Sequence, residues 1–151
     1  PRAEDCIQDL VVEAFATLRA CASGRVALVV DPSESRRSAL LAQLRMLGLP
    51  AVAVATALDA VQVLMEQGER VDCALIQAQS LHVPSFELIE FLAHQHPHVR
   101  RVLMGDGNSL SLHWLAEASG EVHAMMELPC SSDAVQRVLS RVRRLPASHL
   151  S

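Results

Sequence analysis

The chain has 151 residues, of which 50% are hydrophobic and 20% charged, a balance that excludes intrinsic disorder and coiled-coil rods and predicts one soluble globular domain with at most an appended helix or tail. All 13 basic residues are arginine and 17 residues are acidic, for a net charge of -4; chemistry that needs a lysine is excluded, and no overall cationic field is present to hold nucleic acid. The longest apolar stretches, such as Ala51 to Ala57, are far shorter than the ~20 residues that cross a bilayer, so no membrane role is expected.

Residues 5–21 place Ile7, Leu10, Val11, Ala14, Phe15, Leu18 and Cys21 at spacings of three and four, which predicts an amphipathic helix ending at Gly24. Arg25 to Val30 is a short β-branched run of the kind buried in a parallel sheet. Asp31-Pro32-Ser33 then leads into a helical pattern over about 33–47, stopped by Gly48 and Pro50. Ala51 to Ala55 is the second predicted strand, Thr56 an N-cap, and Ala57 to Gln67 a helix closed by Gly68. Cys73 to Ala78 is the third strand, Pro84 to about His94 a helix, Val102 to Met104 the fourth strand and Ser109 to Ala118 a helix. Val122 to Met126 is the fifth strand and Ser131 to Arg144 the last helix. Strands alternating with helices in this way call for right-handed crossovers and helices on both faces of a parallel sheet. Ligands of such a sheet sit beyond the carboxyl ends of its strands, which directs attention to Asp31, Gln77, Gly105 and the Glu127-Leu128-Pro129 corner.

At those strand ends the sequence resembles the receiver domain of bacterial response regulators (CheY-like), over about residues 24–145. Val29 to Arg37 (VVDPSESRR) is similar to that family's first-strand acidic motif and the helix after it. Asp72 to Gln77 resembles its third strand, whose last position carries the phosphorylated aspartate. Arg101 to Gly105 resembles the fourth strand, and Glu127-Leu128-Pro129 the end of the fifth, where the family has lysine followed by proline. The resemblance implies an α/β fold: a flavodoxin-like, doubly wound (βα)5 domain with a five-stranded parallel sheet, here preceded by one N-terminal helix. The expected division is 1–23 for the helix and linker, 24–145 for the receiver-like domain and 146–151 for a tail.

The departures from the family pattern concern chemistry. The phosphoacceptor position is Gln77, and a neutral amide cannot make the carboxylate's nucleophilic attack on a phosphoryl group. Of the acidic pair that would hold magnesium, Asp31 remains beside Pro32, too few carboxylates for a hard divalent cation. Gly105 stands where a hydroxyl would contact the phosphoryl oxygens and Leu128 where a lysine would neutralise them. The aromatic residue that reports the switch maps onto Met125. Asp31, Pro32, Gln77, Gly105 and Leu128 thus read as a degenerate phosphorylation pocket, with Asp31 accepting backbone N–H groups at the start of the first helix or keeping a residual metal or ligand contact.

Other chemistry finds little support. His94, His96 and His98 alternate in HQHPH, but Pro97 places them in a helix-to-strand loop where solvated histidines are common, and no metal site is expected. No GxSxG, HExxH or phosphate loop is present, and Gly105-Asp106-Gly107-Asn108 reads as an ordinary loop. Catalysis and a bound cofactor are therefore not expected. Cys6, Cys21, Cys73 and Cys130 lie far apart without CxxC spacing, which fits reduced thiols and a cytoplasmic location. The first residue is Pro1 rather than methionine, so a fragment of a longer protein is expected.

Three functions from different classes follow. A phosphorylation-independent interaction or dimerisation module would dock a protein partner or a second copy on the family's fourth-helix, fifth-strand, fifth-helix face, here Leu112, Trp114, Leu115, Met125, Val135 and Val138. Trp114 would be its anchor, or would fill a groove of its own domain. Residues 5–21 offer a second dimerisation seam, or pack onto the domain they precede. A small-ligand sensor would use Arg36, Arg37, Arg100 and Arg101, whose guanidinium forks suit the phosphates of a cyclic dinucleotide. An unconventional phosphoacceptor would carry the phosphoryl group on Asp31.

Overall fold

A computed structural model of the chain describes residues 3–20, 25–77, 85–105, 122–128 and 131–144. Within them, strands β1 (Val26–Val30), β2 (Ala51–Val54), β3 (Val71–Gln77), β4 (Arg100–Gly105) and β5 (Ala124–Glu127) form one parallel sheet in the order β2-β1-β3-β4-β5. Helices α1 (Ala3–Ala20), α2 (Glu34–Met46), α3 (Ala57–Gln67), α4 (Ser85–Gln95) and α5 (Ser132–Arg144) cover its faces, and a 3-10 turn (Gly68–Arg70) links α3 to β3. This is the flavodoxin-like doubly wound arrangement, with an extra helix at the N-terminus.

The strands divide their side chains between two cores because successive residues point to opposite faces. Leu28, Val30, Val52, Val54, Ala74, Ile76 and Leu103 pack with α1, α3 and α4. Ala27, Val29, Ala51, Ala53, Cys73, Leu75, Val102 and Met104 pack with α2 and α5. Burial on both faces explains why these strands read as continuous apolar runs.

Local signals set the helix ends. Ser33 caps α2 by accepting the Arg36 N–H at 3.3 Å, and Thr56 caps α3 by accepting the Asp59 N–H at 3.1 Å. Ser131 does the same for α5, taking the Ala134 N–H at 3.1 Å. Gly48, at φ 78°, makes the left-handed turn that lets the chain leave α2 for β2.

Every strand differs from the sequence reading by one or more residues at an end, the last three most. β3 begins at Val71 rather than Cys73 because Val71 pairs with Val26 of β1, and β4 spans Arg100–Gly105 rather than 102–104 because pairing of Cys73 with Arg100 and Ala74 with Arg101 carries the ladder through charged residues. β5 begins at Ala124 rather than Val122. The helix expected over 109–118 and the tail 146–151 lie outside the described residues.

The N-terminal helix belongs to the domain core. Val11, Ala14 and Leu18 are buried with α3 and β2, and the Arg70 guanidinium donates to the Leu18 carbonyl. Of the two readings of residues 5–21, packing onto the domain they precede is the one adopted, and these three seam residues are not free for a second copy. The side chains of Ile7 and Cys21 lie outside the described residues.

Candidate functional site

The carboxyl ends of the strands gather Asp31, Gln77, Gly105 and Leu128 on one edge of the sheet. Register fixes this: Gln77 pairs with Met104, Gly105 pairs with Glu127, and the Leu128 N–H donates to the Gly105 carbonyl at 2.8 Å. The Asp31 N–H donates to the Val54 carbonyl at 3.1 Å, tying the first strand end to the second. Asp31, Gln77 and Gly105 are buried, Leu128 is half-buried against the α5-side core, and Pro32 is exposed.

Asp31 is the charged centre of this edge, and its hydrogen bonding is dense. Oδ1 accepts the Ser33 N–H at 2.8 Å, as expected of a carboxylate at a helix start. Arg36 adds a two-pronged contact, Nε to Oδ2 at 2.8 Å and an Nη to Oδ1 at 3.0 Å. Arg37 donates to the Asp31 carbonyl at 2.8 Å. The bond to Asp31 holds the Arg36 guanidinium still more firmly in its charged form, against a smaller opposing effect of burial.

Among the described residues, these strand ends do not fit a divalent cation. Both oxygens of the one carboxylate are taken by Arg36 and Ser33, while Pro32 and Gln77 offer no second negative charge. Among the described residues, no group of three or more His, Cys, Asp or Glu side chains is placed to hold a metal ion.

The four candidate ligand-binding arginines do not converge. Arg36 and Arg37 face Asp31 at the carboxyl end of β1, whereas Arg100 and Arg101 open β4 at the opposite end of the parallel sheet. Arg101 is also buried, its guanidinium donating to the Val99 carbonyl at 2.9 Å and its N–H to His123 Nδ1 at 3.0 Å. One small ligand cannot reach both pairs.

Of the candidate docking residues, Leu112, Trp114 and Leu115 lie outside the described residues. Met125 is half-buried against the α4-side core and Val138 half-buried against the other. Val135 is a correction: it is fully buried, because the apolar stripe Val135, Leu139 and Val142 turns α5 toward the sheet, and it presents nothing to a partner.

The histidine tract organises the other end of the sheet. His98 Nε2 lies 2.9 Å from the Gly68 carbonyl, and the His96 ring packs 5.5 Å from Phe91 and 5.9 Å from His98. This contact with the 3-10 turn was missed in the sequence, since nothing local links Gly68 to residues about thirty positions away. The Arg36 partnership with Asp31 was also missed, although its five-residue spacing across an N-cap is a local signal.

The strand order β2-β1-β3-β4-β5 with helices on both faces is the fold that solved receiver domains share. A response regulator receiver domain from Clostridium thermocellum superposes with a TM-score of 0.71 at 13% identity, covering 80% of this chain and 95% of that one. The signal receiver domain of an HD domain-containing protein from Pseudomonas fluorescens Pf-5 gives 0.72 at 21% identity, covering 80% and 95%. A chemotaxis protein from Vibrio cholerae gives 0.70 at 18%, covering 80% and 99%. These likenesses establish the fold. No family model matches the chain, and no curated protein matches it.

Proposed function

We propose that the chain is a receiver-type module of a bacterial two-component signalling protein that has lost phosphotransfer and acts, without catalysis, through contact with a protein partner or a second copy of itself. The observation that carries the reading is the buried Gln77 at the end of β3, the position of the family's phosphoacceptor, because an amide there leaves no nucleophile for a phosphoryl group. The contact surface would be the one the family resemblance implies, with Met125 and Val138 as its described, half-buried part and Trp114 as the expected anchor. A cytoplasmic site of action accompanies this reading; none of the described helices is long and apolar enough to cross a membrane. The cyclic-dinucleotide alternative loses its shared arginine site, since the two arginine pairs stand at opposite ends of the sheet.

The test exposes the chain to acetyl phosphate with Mg2+, and to beryllofluoride with Mg2+, while intact mass and melting temperature are followed. No adduct and no shift are expected. An acid-labile adduct that Asp31→Asn removes would replace this reading with the unconventional phosphoacceptor. Light scattering over a range of concentrations, with Trp114→Ala as the comparison, then separates self-association from contact with another protein.

A further inference from the structure

A fully buried carboxylate persists only where donors or a cation answer its charge. At Asp31 the answer comes from within the chain. The Arg36 guanidinium meets the carboxylate in a two-point contact of 2.8 and 3.0 Å, one N–H to each oxygen, the pairing in which its planar fork matches two oxygens at once. Ser33 supplies a third donor to the same group, and Arg37 takes the carbonyl of the same residue at 2.8 Å. Side chain and main chain of the β1 end are therefore both faced by cationic or N–H donors, where the family resemblance implies a divalent metal ion.

We propose that Arg36 is the resident counter-ion of Asp31, taking the electrostatic place of that metal, so that the β1–α2 corner is charge-balanced and fixed without one. Three features favour the guanidinium over a free cation. It is charged at every relevant pH and more weakly hydrated than a small divalent ion. Its tether of five residues keeps it at high effective concentration. Among the described residues at these strand ends Asp31 is the buried carboxylate, and Pro32 lacks any side-chain oxygen to make a second ligand. The inference rests on the reading of the site as one without phosphotransfer.

The experiment is a double-mutant cycle on the full chain, using Arg36→Gln, Asp31→Asn and the pair together, with melting measured in EDTA, Mg2+ and Mn2+ and with Mn2+ binding read by paramagnetic resonance. In the wild type the melting temperature stays the same in all three media and no Mn2+ is bound at Asp31. Each single variant melts several degrees lower, and the double variant falls no further than the worse single one, the non-additivity of a coupled pair. Where Arg36→Gln does not give folded protein, Arg36→Lys completes the cycle; it keeps the charge without the fork and falls between wild type and Asp31→Asn. Additive losses would overturn the assignment, as would Mn2+ binding to the wild type that Asp31→Asn abolishes. A phosphoryl adduct elsewhere on the chain would end the proposed function and leave this cycle unchanged, so the two fail separately.

Discussion

At the residue scale close packing leaves little slack, and the contact of His96 with Gly68 shows how little. A Cβ added to Gly68 would stand 2.6 Å from His96 Cε1 and 2.7 Å from Nδ1, and Phe91 limits how far that ring can move. Gly68→Ala is therefore expected to destabilise by about 1–3 kcal/mol, the usual penalty of overpacking, with Gly68→Ala/His96→Ala recovering part of the loss in chemical denaturation. His96 also gives the fold a pH dependence. Burial first, and the neighbouring His98 second, hold its pKa below the usual histidine value of 6.5. A base whose pKa is depressed by folding is favoured neutral in the native state. Its contribution is complete above the unfolded value and is lost as pH falls through the folded one. Melting between about pH 7.5 and about pH 5.5 should accordingly fall less in His96→Gln than in the wild type. The same scale shows why the candidate site was half legible: Asp31, Gln77, Gly105 and Leu128 could be placed by strand ends alone, whereas the partner of Asp31 needed the geometry of α2.

At the scale of elements, caps and stripes decide which way each helix faces. Ser33→Ala removes the acceptor of the Arg36 N–H and is expected to cost about 0.5–2 kcal/mol, as N-cap losses do, seen as a lower denaturation midpoint with an unchanged slope. The larger effect belongs to α1. Leu18 is fully buried between this helix and the domain, so Leu18→Ala should cost about 2–5 kcal/mol. Removal of residues 1–22 should go further, baring the apolar face of β2 and α3 and leaving a destabilised, aggregation-prone remainder. Such a deletion does not isolate dimerisation from folding, and Val12, 57% exposed on the same helix, is the better position at which to probe contact through α1. The apolar spacing of residues 5–21 announced a helix; whether its seam met its own sheet or a second copy was a matter of what lay 30 to 50 residues downstream.

At the scale of the whole molecule, two cores bury the apolar faces of the parallel sheet, and what matters at its carboxyl edge is charge balance. Restoring a carboxylate through Gln77→Asp is expected to change the denaturation midpoint little or lower it, because a second buried negative charge would join Asp31 at that edge, and to leave the far-UV dichroism unchanged. A gain of stability at neutral pH on that substitution would mean that the edge attracts cations after all. By itself the sequence determined the succession of the described strands and helices, the parallel sheet and which residues stand at the strand ends, an amide at Gln77 among them, because periodicity, capping residues and strand termini are local properties of the chain. Tertiary structure alone decided that α1 completes the core, that β4 runs through Arg100 and Arg101, that Val135 faces inward, that the two arginine pairs stand apart, and that Arg36 turns back onto Asp31. Each depends on which distant segments share a face or an end of the sheet, and burial makes those choices only when the whole chain has folded.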